Sequence, residues 1–329
     1  MPSKRRVAVV FIHGLAKKPH PDTLTGLWLT GLSRDNPRPD VFAPPNQGIN
    51  LKVGVPYHFN YYADVFYGTE YDTDIESYYE SDSGSQENEI AAERLDRVEP
   101  ELASPQPVTP REAEFLAAFE RHLGAEPALL PGSLTAGPGQ EVAGFLPDSV
   151  RRAVIKKAAM EAYYFLFNKE YLRADGERFD VRVELRRRLL EQLGKAGDAA
   201  ERTVIISHSM GTMVAYDVLR NCADCPPVST LITLGSPLGV AEVQAELKAP
   251  GTAHVDFPER VQDAWINIYD PLDPICGADP RFANDYLPAN GKTVLDVKES
   301  NWGQWRHSIV HYLSGARFRQ HLRDALEAH

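Results

Sequence analysis

Ser209 stands in the run Thr203-Val-Ile-Ile-Ser-His-Ser-Met-Gly-Thr212, where an apolar stretch ends at Ser207 and a helix-like pattern starts at Met210. The pentapeptide Ser207-His-Ser-Met-Gly211 is one residue away from G-x-S-x-G. In that motif a sharp strand-to-helix turn holds a serine strained and exposed. Small residues flank it two positions away because the strand and helix backbones approach closely. Gly211 meets the second requirement; Ser207 departs from the first but is small. A helix starting at Met210 would also favour negative charge developing beside Ser209. The chemistry of such a serine is acyl transfer, provided a base, an acid and an oxyanion site reach it.

The acid is expected after a later strand. Trp265-Ile-Asn-Ile-Tyr-Asp-Pro-Leu-Asp-Pro-Ile275 is such a strand, and it runs into a loop with two carboxylates. Asp273, deeper in the loop, is the preferred acid; Asp270 at the strand end is the alternative, and could instead cap the turn. The base is expected in the loop after the last strand, Ser300-Asn-Trp-Gly-Gln-Trp-Arg-His-Ser308. His307 is the preferred base, with His311, expected within a helix, as the alternative. His208 is read as a packing or supporting residue, because adjacent side chains point apart.

An oxyanion hole needs two backbone N–H groups aimed at the tetrahedral intermediate. Met210, following the nucleophile, is one candidate donor. The other is Leu15, in Val7-Ala-Val-Val-Phe-Ile-His-Gly-Leu15, where His-Gly lets the chain turn tightly after an early strand. This chemistry calls for no metal or organic cofactor.

The elements that must position these residues follow a βαβ alternation, the mark of a mostly parallel sheet with helices on both faces. Six strands are expected, at Arg6–Ile12, Leu51–Tyr62, Thr203–Ser207, Thr230–Leu234, Ala264–Tyr269 and Lys292–Val297. Helices are expected at Asp22–Leu32, Arg182–Leu193, Met210–Leu219 and Arg317–Ala328, with Asp22 as an N-cap and Gly194 as a stop. Between Val65 and Asp180 no strand is convincing, although a crossover needs only about a dozen residues. That interval suggests a largely helical cap or lid over residues 67–177, with helices at Arg111–Leu123 and Asp148–Leu172, inserted between catalytic-domain segments 1–66 and 178–329. The second cap helix is basic at first (Arg151, Arg152, Lys156, Lys157) and then apolar on nearly every side, Ala158 to Phe167. Such a helix is buried, lines an acyl or aromatic pocket, or makes weak contact with a membrane surface.

Phe11-Ile-His-Gly-Leu15, Ser207-His-Ser-Met-Gly-Thr212, Thr233-Leu-Gly-Ser-Pro-Leu238, Asp270-Pro-Leu-Asp-Pro-Ile275 and Trp305-Arg-His-Ser308 together resemble the α/β-hydrolase superfamily. They are closest to lipase-like esterases that include lecithin–cholesterol acyltransferase and GPI inositol-deacylase relatives. The resemblance covers roughly residues 1–66 and 178–329; the intervening segment matches nothing in that family. It implies an α/β-hydrolase fold whose opening antiparallel strands have no counterpart here. It also implies a serine esterase with Ser209 as nucleophile, Asp273 as acid, His307 as base and Leu15 and Met210 as oxyanion donors. The order Ser209, Asp273, His307 is the one this fold uses. The expected substrate is a small-molecule or lipid-like carboxylic ester. A thioesterase, amidase or acyltransferase would use the same triad, and a catalytically silent binding protein on this scaffold would be expected to lack one of its members.

With 43% hydrophobic and 25% charged residues the chain is of the globular type. The net charge of -11 is almost wholly local: Glu70 to Glu101 holds 12 acidic residues against Arg94 and Arg97. This acidic segment, read as partly mobile, argues against nucleic acid as a partner. The apolar run Val7–Ile12 is too short for a signal-peptide core, and no stretch nears the ~20 apolar residues that span a bilayer. With only three cysteines and no ligand pair to join Cys222-Ala-Asp-Cys225, neither a disulfide framework nor a zinc site is expected, and a cytoplasmic location is.

Overall fold

The structure is a computed structural model that describes residues 5–14, 16–73, 106–124, 148–249, 251–276, 279–302 and 306–328. Strand β1 (Arg5–Ile12) leads into helix α1 (Pro21–Ser33), strand β2 (Tyr57–Asn60) and a short helix α2 (Ala63–Tyr67). Helices α3 (Pro110–Gly124) and α4 (Asp148–Leu166) follow, then strands β3 (Glu170–Leu172) and β4 (Arg178–Asp180). The remainder alternates: α5 (Val181–Ala199), β5 (Ala200–His208), α6 (Met210–Asn221), β6 (Val228–Leu234), α7 (Ala241–Leu247), β7 (Val261–Tyr269) and β8 (Val294–Lys298). Helices α8 (Ile309–Ser314) and α9 (Ala316–Glu327) close it.

Six strands form one sheet in the order β2-β1-β5-β6-β7-β8, and every neighbouring pair is parallel. Parallel strands covered on both faces need apolar residues at successive positions. Accordingly Val7, Val9 and Phe11 pack with Leu24 and Trp28 of α1 and with Phe318 and Leu322 of α9. Ala8, Val10 and Ile12 face the opposite layer, with Leu185 and Leu189 of α5 and Met213 of α6. The chain lays β2 on one side of β1 and β5 on the other, so the winding reverses between β1 and β5. In open parallel sheets, ligands collect beyond the carboxyl ends of the strands at such a reversal. The Ser209 turn and the His13-Gly14 turn both lie there.

Several element boundaries differ from the sequence expectation. The strand expected over Leu51–Tyr62 is confined to Tyr57–Asn60, because Gly54 takes a positive φ of 84° and turns the chain first. His20, not Asp22, caps α1: its ring accepts the Asp22 N–H. Gly194 does not stop α5, which runs on to Ala199 because Leu193 and Ala196 are buried in the core. Helix α4 ends at Leu166, short of Leu172; Asn168, at φ 47°, lets the chain leave it. The interval expected to lack strands contains the antiparallel β3–β4 pair. The all-round apolar character of α4 reflects packing on every side. Phe165, Tyr163 and Ala159 join one core cluster with Phe115 and Phe119 of α3 and Val243 of α7. Arg111 of α3 makes a two-pronged contact with Glu246 of α7, at 2.9 Å for each N–O pair. Leu15 and residues 74–101 of the acidic segment lie outside the described residues.

Candidate active site

Ser209 sits between the last residue of β5 and the first of α6, with φ 54° and ψ −130°. A non-glycine residue in this region is strained, and it persists because neighbours over-determine it. Ser209 N–H donates to the Leu234 carbonyl of β6 at 3.0 Å. The Thr212 hydroxyl donates back to the Ser209 carbonyl at 2.6 Å and is itself 2.7 Å from Ser236 Oγ. A Cβ on Gly211 would lie 2.4 Å from the His13 carbonyl oxygen, so the glycine is required where α6 crosses β1. Ser207 is buried, its hydroxyl 3.3 Å from the Ile232 carbonyl.

From that turn a continuous hydrogen-bond relay runs inward. Ser209 Oγ is 2.8 Å from His307 Nε2, and His307 Nδ1 is 2.8 Å from Asp273 Oδ2. The carboxylate fixes the tautomer: Nδ1–H donates to Asp273, leaving Nε2 to accept the serine proton. Asp273 also accepts from the Tyr312 hydroxyl at 2.7 Å and from Ile275 N–H at 2.8 Å. Burial alone would raise its pKa, but the facing His307 and these donors hold the carboxyl below the usual range. Tyr312 stays a donor, since burial beside Asp273 pushes its phenol well above the ordinary value. Ser209 and Asp273 have no exposed surface and His307 has 4%. Electrostatic contacts in such a water-excluded site are stronger than in water.

Of the alternatives considered from sequence, the structure places neither against Ser209. Asp270 accepts from Leu272 N–H and Asn301 N–H, both at 2.8 Å, and pairs with Arg306 Nη1 at 3.1 Å. Its carboxylate therefore braces the loop that carries His307. His311 lies in α8 with its ring 3.9 Å from that of Trp302, and among the described residues neither ring nitrogen has a hydrogen-bond partner. His208 is a direct support: its Nε2–H donates to the His307 carbonyl at 2.9 Å, with the two rings 4.6 Å apart.

At the other side of Ser209, His13 is buried and neutral, its pKa lowered to about 3 by burial and then by the charge of Lys18. Its Nδ1–H donates to the Gly14 carbonyl at 2.6 Å while Nε2 accepts Tyr62 N–H at 3.0 Å. The Tyr62 hydroxyl donates to the His13 carbonyl at 2.8 Å, so α2 and β1 hold this turn together. Met210, as the first residue of α6, has no intrahelical acceptor for its N–H. Sequence reasoning did not find Tyr312, Tyr62 or the supporting role of His13; for Asp270 it offered the turn-capping alternative, and Asp270 does accept Leu272 N–H within its own turn. Among the described residues no group of three His, Cys, Asp or Glu side chains could hold a metal ion, and no helix is long and apolar enough to cross a membrane.

No family model matches the chain, and no curated protein matches it either. Among solved structures, it is similar to an uncharacterized protein from Pseudomonas aeruginosa at 9% identity and a TM-score of 0.29. That match covers 98% of this chain and 46% of the other, so this chain spans less than half the neighbour's length. A likeness of that size says nothing about function.

Proposed function

We propose that this chain is a serine hydrolase of the α/β-hydrolase kind that cleaves a carboxylic ester through an acyl-enzyme intermediate. The observation that carries the proposal is the relay from Ser209 Oγ through His307 to Asp273, with 2.8 Å at each step, set on a strand–helix turn with the serine at φ 54°. In this reading His307 Nε2 takes the Ser209 proton as Oγ attacks the ester carbonyl, and Asp273 stabilises the imidazolium that forms. Backbone N–H groups of Met210 and of the turn after Gly14, with Leu15 as donor, receive the oxyanion. The imidazolium returns the proton to the leaving alcohol. Water then attacks the acyl-Ser209, giving its proton to His307, and the imidazolium returns that proton to Ser209 Oγ as the acid departs.

Residues 67–177 would act as a cap that shapes access to Ser209. A thioester or amide would pass through the same steps with a different leaving group, and an acyltransferase would differ only in its acceptor. A silent binding protein has no use for a relay in which each hydrogen bond is made. The test is labelling by a fluorophosphonate, which forms a covalent bond to an activated serine. Wild type is expected to label and Ser209→Ala not to. A folded wild type that stays unlabelled would sink the proposal.

A further inference from the structure

Glu161 lies on α4 among buried apolar neighbours, with Ala158, Ala159, Met160, Ala162 and Phe165 on the same helix. It has 1% of its surface exposed. Burial raises its pKa, opposed by the Ala16 N–H, the Tyr67 hydroxyl and the charges of Lys18 and Lys157. Burying a carboxyl is costly unless hydrogen bonds compensate it, and a helix selected only to pack would carry an apolar residue here. Its Oε1 accepts two hydrogen bonds, from Ala16 N–H at 2.7 Å and from the Tyr67 hydroxyl at 2.9 Å. The first bond spans 145 residues of sequence. It ends on the turn that follows the His13-Gly14 strand end.

The two described residues of that turn, Gly14 and Ala16, are both held. Gly14 is pressed onto the nucleophile: a Cβ there would lie 2.6 Å from Ser209 Cβ and 3.2 Å from Ser209 Oγ. Ala16 takes a positive φ of 72°, which a residue bearing a Cβ adopts only when something outside it imposes the conformation. The Glu161 carboxylate supplies such a constraint, since it accepts the Ala16 N–H at 2.7 Å. The geometry points to Glu161 as a positioning residue for ester hydrolysis, anchoring the backbone at Ala16 beside the turn proposed to receive the oxyanion. It does so from α4, so the segment inserted between β2 and β5 is coupled to the reactive end of the sheet. The inference rests on the reading of Ser209 as a nucleophile.

Three variants test it: Glu161→Leu removes the acceptor, Glu161→Asp keeps the charge but shortens the reach, and Glu161→Gln keeps an oxygen at the same length. The readouts are kcat and KM for p-nitrophenyl acetate, and inhibition by a trifluoromethyl ketone, which binds serine as an oxyanion-bearing adduct. Glu161→Leu and Glu161→Asp are expected to lower kcat about 10²-fold, as when an oxyanion donor is lost. KM should stay within about threefold and ketone affinity should fall in parallel with kcat/KM, the signature of an interaction made in the transition state. Glu161→Gln should restore kcat to within about threefold of wild type. If Leu does not fold, Asp carries the test. Folded Leu or Asp variants with wild-type kcat overturn the inference, as does a kcat loss that leaves ketone affinity unchanged. A wild type that neither turns over esters nor takes up the fluorophosphonate overturns the nucleophile reading, and this inference with it. A wild type that does both while the variants match it overturns this inference alone.

Discussion

Gly235 stands so close to Asp273 that a Cβ on it would lie 2.8 Å from the carboxylate Oδ2, and 3.1 Å from His307 Nδ1. Its φ of 53° is also in the left-handed region. The residue after β6 thus leaves the room in which Asp273 and His307 meet. Gly235→Ala is expected to cost about 1–2 kcal/mol from the backbone conformation alone. It should displace the His307–Asp273 contact as well, and a shift of order 1 Å in such a contact can cost about 10²-fold in rate. Urea melts and kcat/KM on one ester check both effects; a variant with unchanged kcat/KM would show that the contact can relax at no cost.

Asp270 and Asp273 are three residues apart, and the structure gives them different partners. Asp273→Asn would present an amide to His307 Nδ1 and favour the wrong tautomer, with an expected loss of about 10⁴-fold in kcat. Asp270→Asn breaks the pairing with Arg306 and leaves an amide facing two donors, Asn301 N–H and Arg306 Nη1. That should cost about 1–3 kcal/mol of stability and lower kcat far less, because the His307 ring keeps its hydrogen bond to Asp273. Equal kcat losses in the two variants would contradict this assignment.

The legible and illegible parts of the fold have physical reasons. Near-continuous apolar runs reveal strands covered on both faces, as in β1, β5 and β6. Strands β3 and β4 have three residues each and mostly exposed side chains, so no pattern marks them. Ser209, Asp273 and His307 stand out because each follows an apolar strand and has a residue type suited to proton transfer or nucleophilic attack. Glu161 and Tyr312 do not, since their partners Ala16 and Asp273 are reached only through the tertiary fold. Asp270 is an open alternative in the sequence for a related reason: a carboxylate at a strand end looks alike there whether it caps a turn or faces a histidine.

Asp217 gives a prediction about stability rather than catalysis. Its carboxylate is fully buried on α6 and accepts from Arg182 and Arg186 of α5 and from Asn221. Burial opposes ionisation here, but the two guanidinium groups hold the carboxyl below its usual pKa. Asp217→Ala leaves both cations facing an apolar core, and breaking such a pair costs about 3–5 kcal/mol. The further replacement of Arg182 and Arg186 by Met should recover much of that loss. A melting temperature for Asp217→Ala within a degree or two of wild type would count against the argument.

His13 and His311 each contribute to the pH dependence of stability, with a sign that thermodynamic linkage fixes. Both are buried, and burial, ahead of nearby positive charge, lowers each pKa from 6.5 to about 3. In the unfolded chain they titrate near the ordinary value, so between those two pKa values the unfolded state binds protons that the folded state refuses. Their contribution is therefore fully present above pH 6.5 and is lost as the pH falls toward 3. Each costs up to about 1.4 kcal/mol per pH unit once the unfolded histidine is largely protonated. Asp270, Glu299 and Glu161 act oppositely, since burial raises their folded pKa values, so the histidine contribution is read as a difference between proteins over about pH 7.5 to 5.5. His311→Leu keeps an apolar group against Trp302 and removes one titrating site. In urea unfolding across that window it should lose less stability than wild type as the pH falls. An identical slope in the two proteins would mean that His311 takes up a proton without the fold opening.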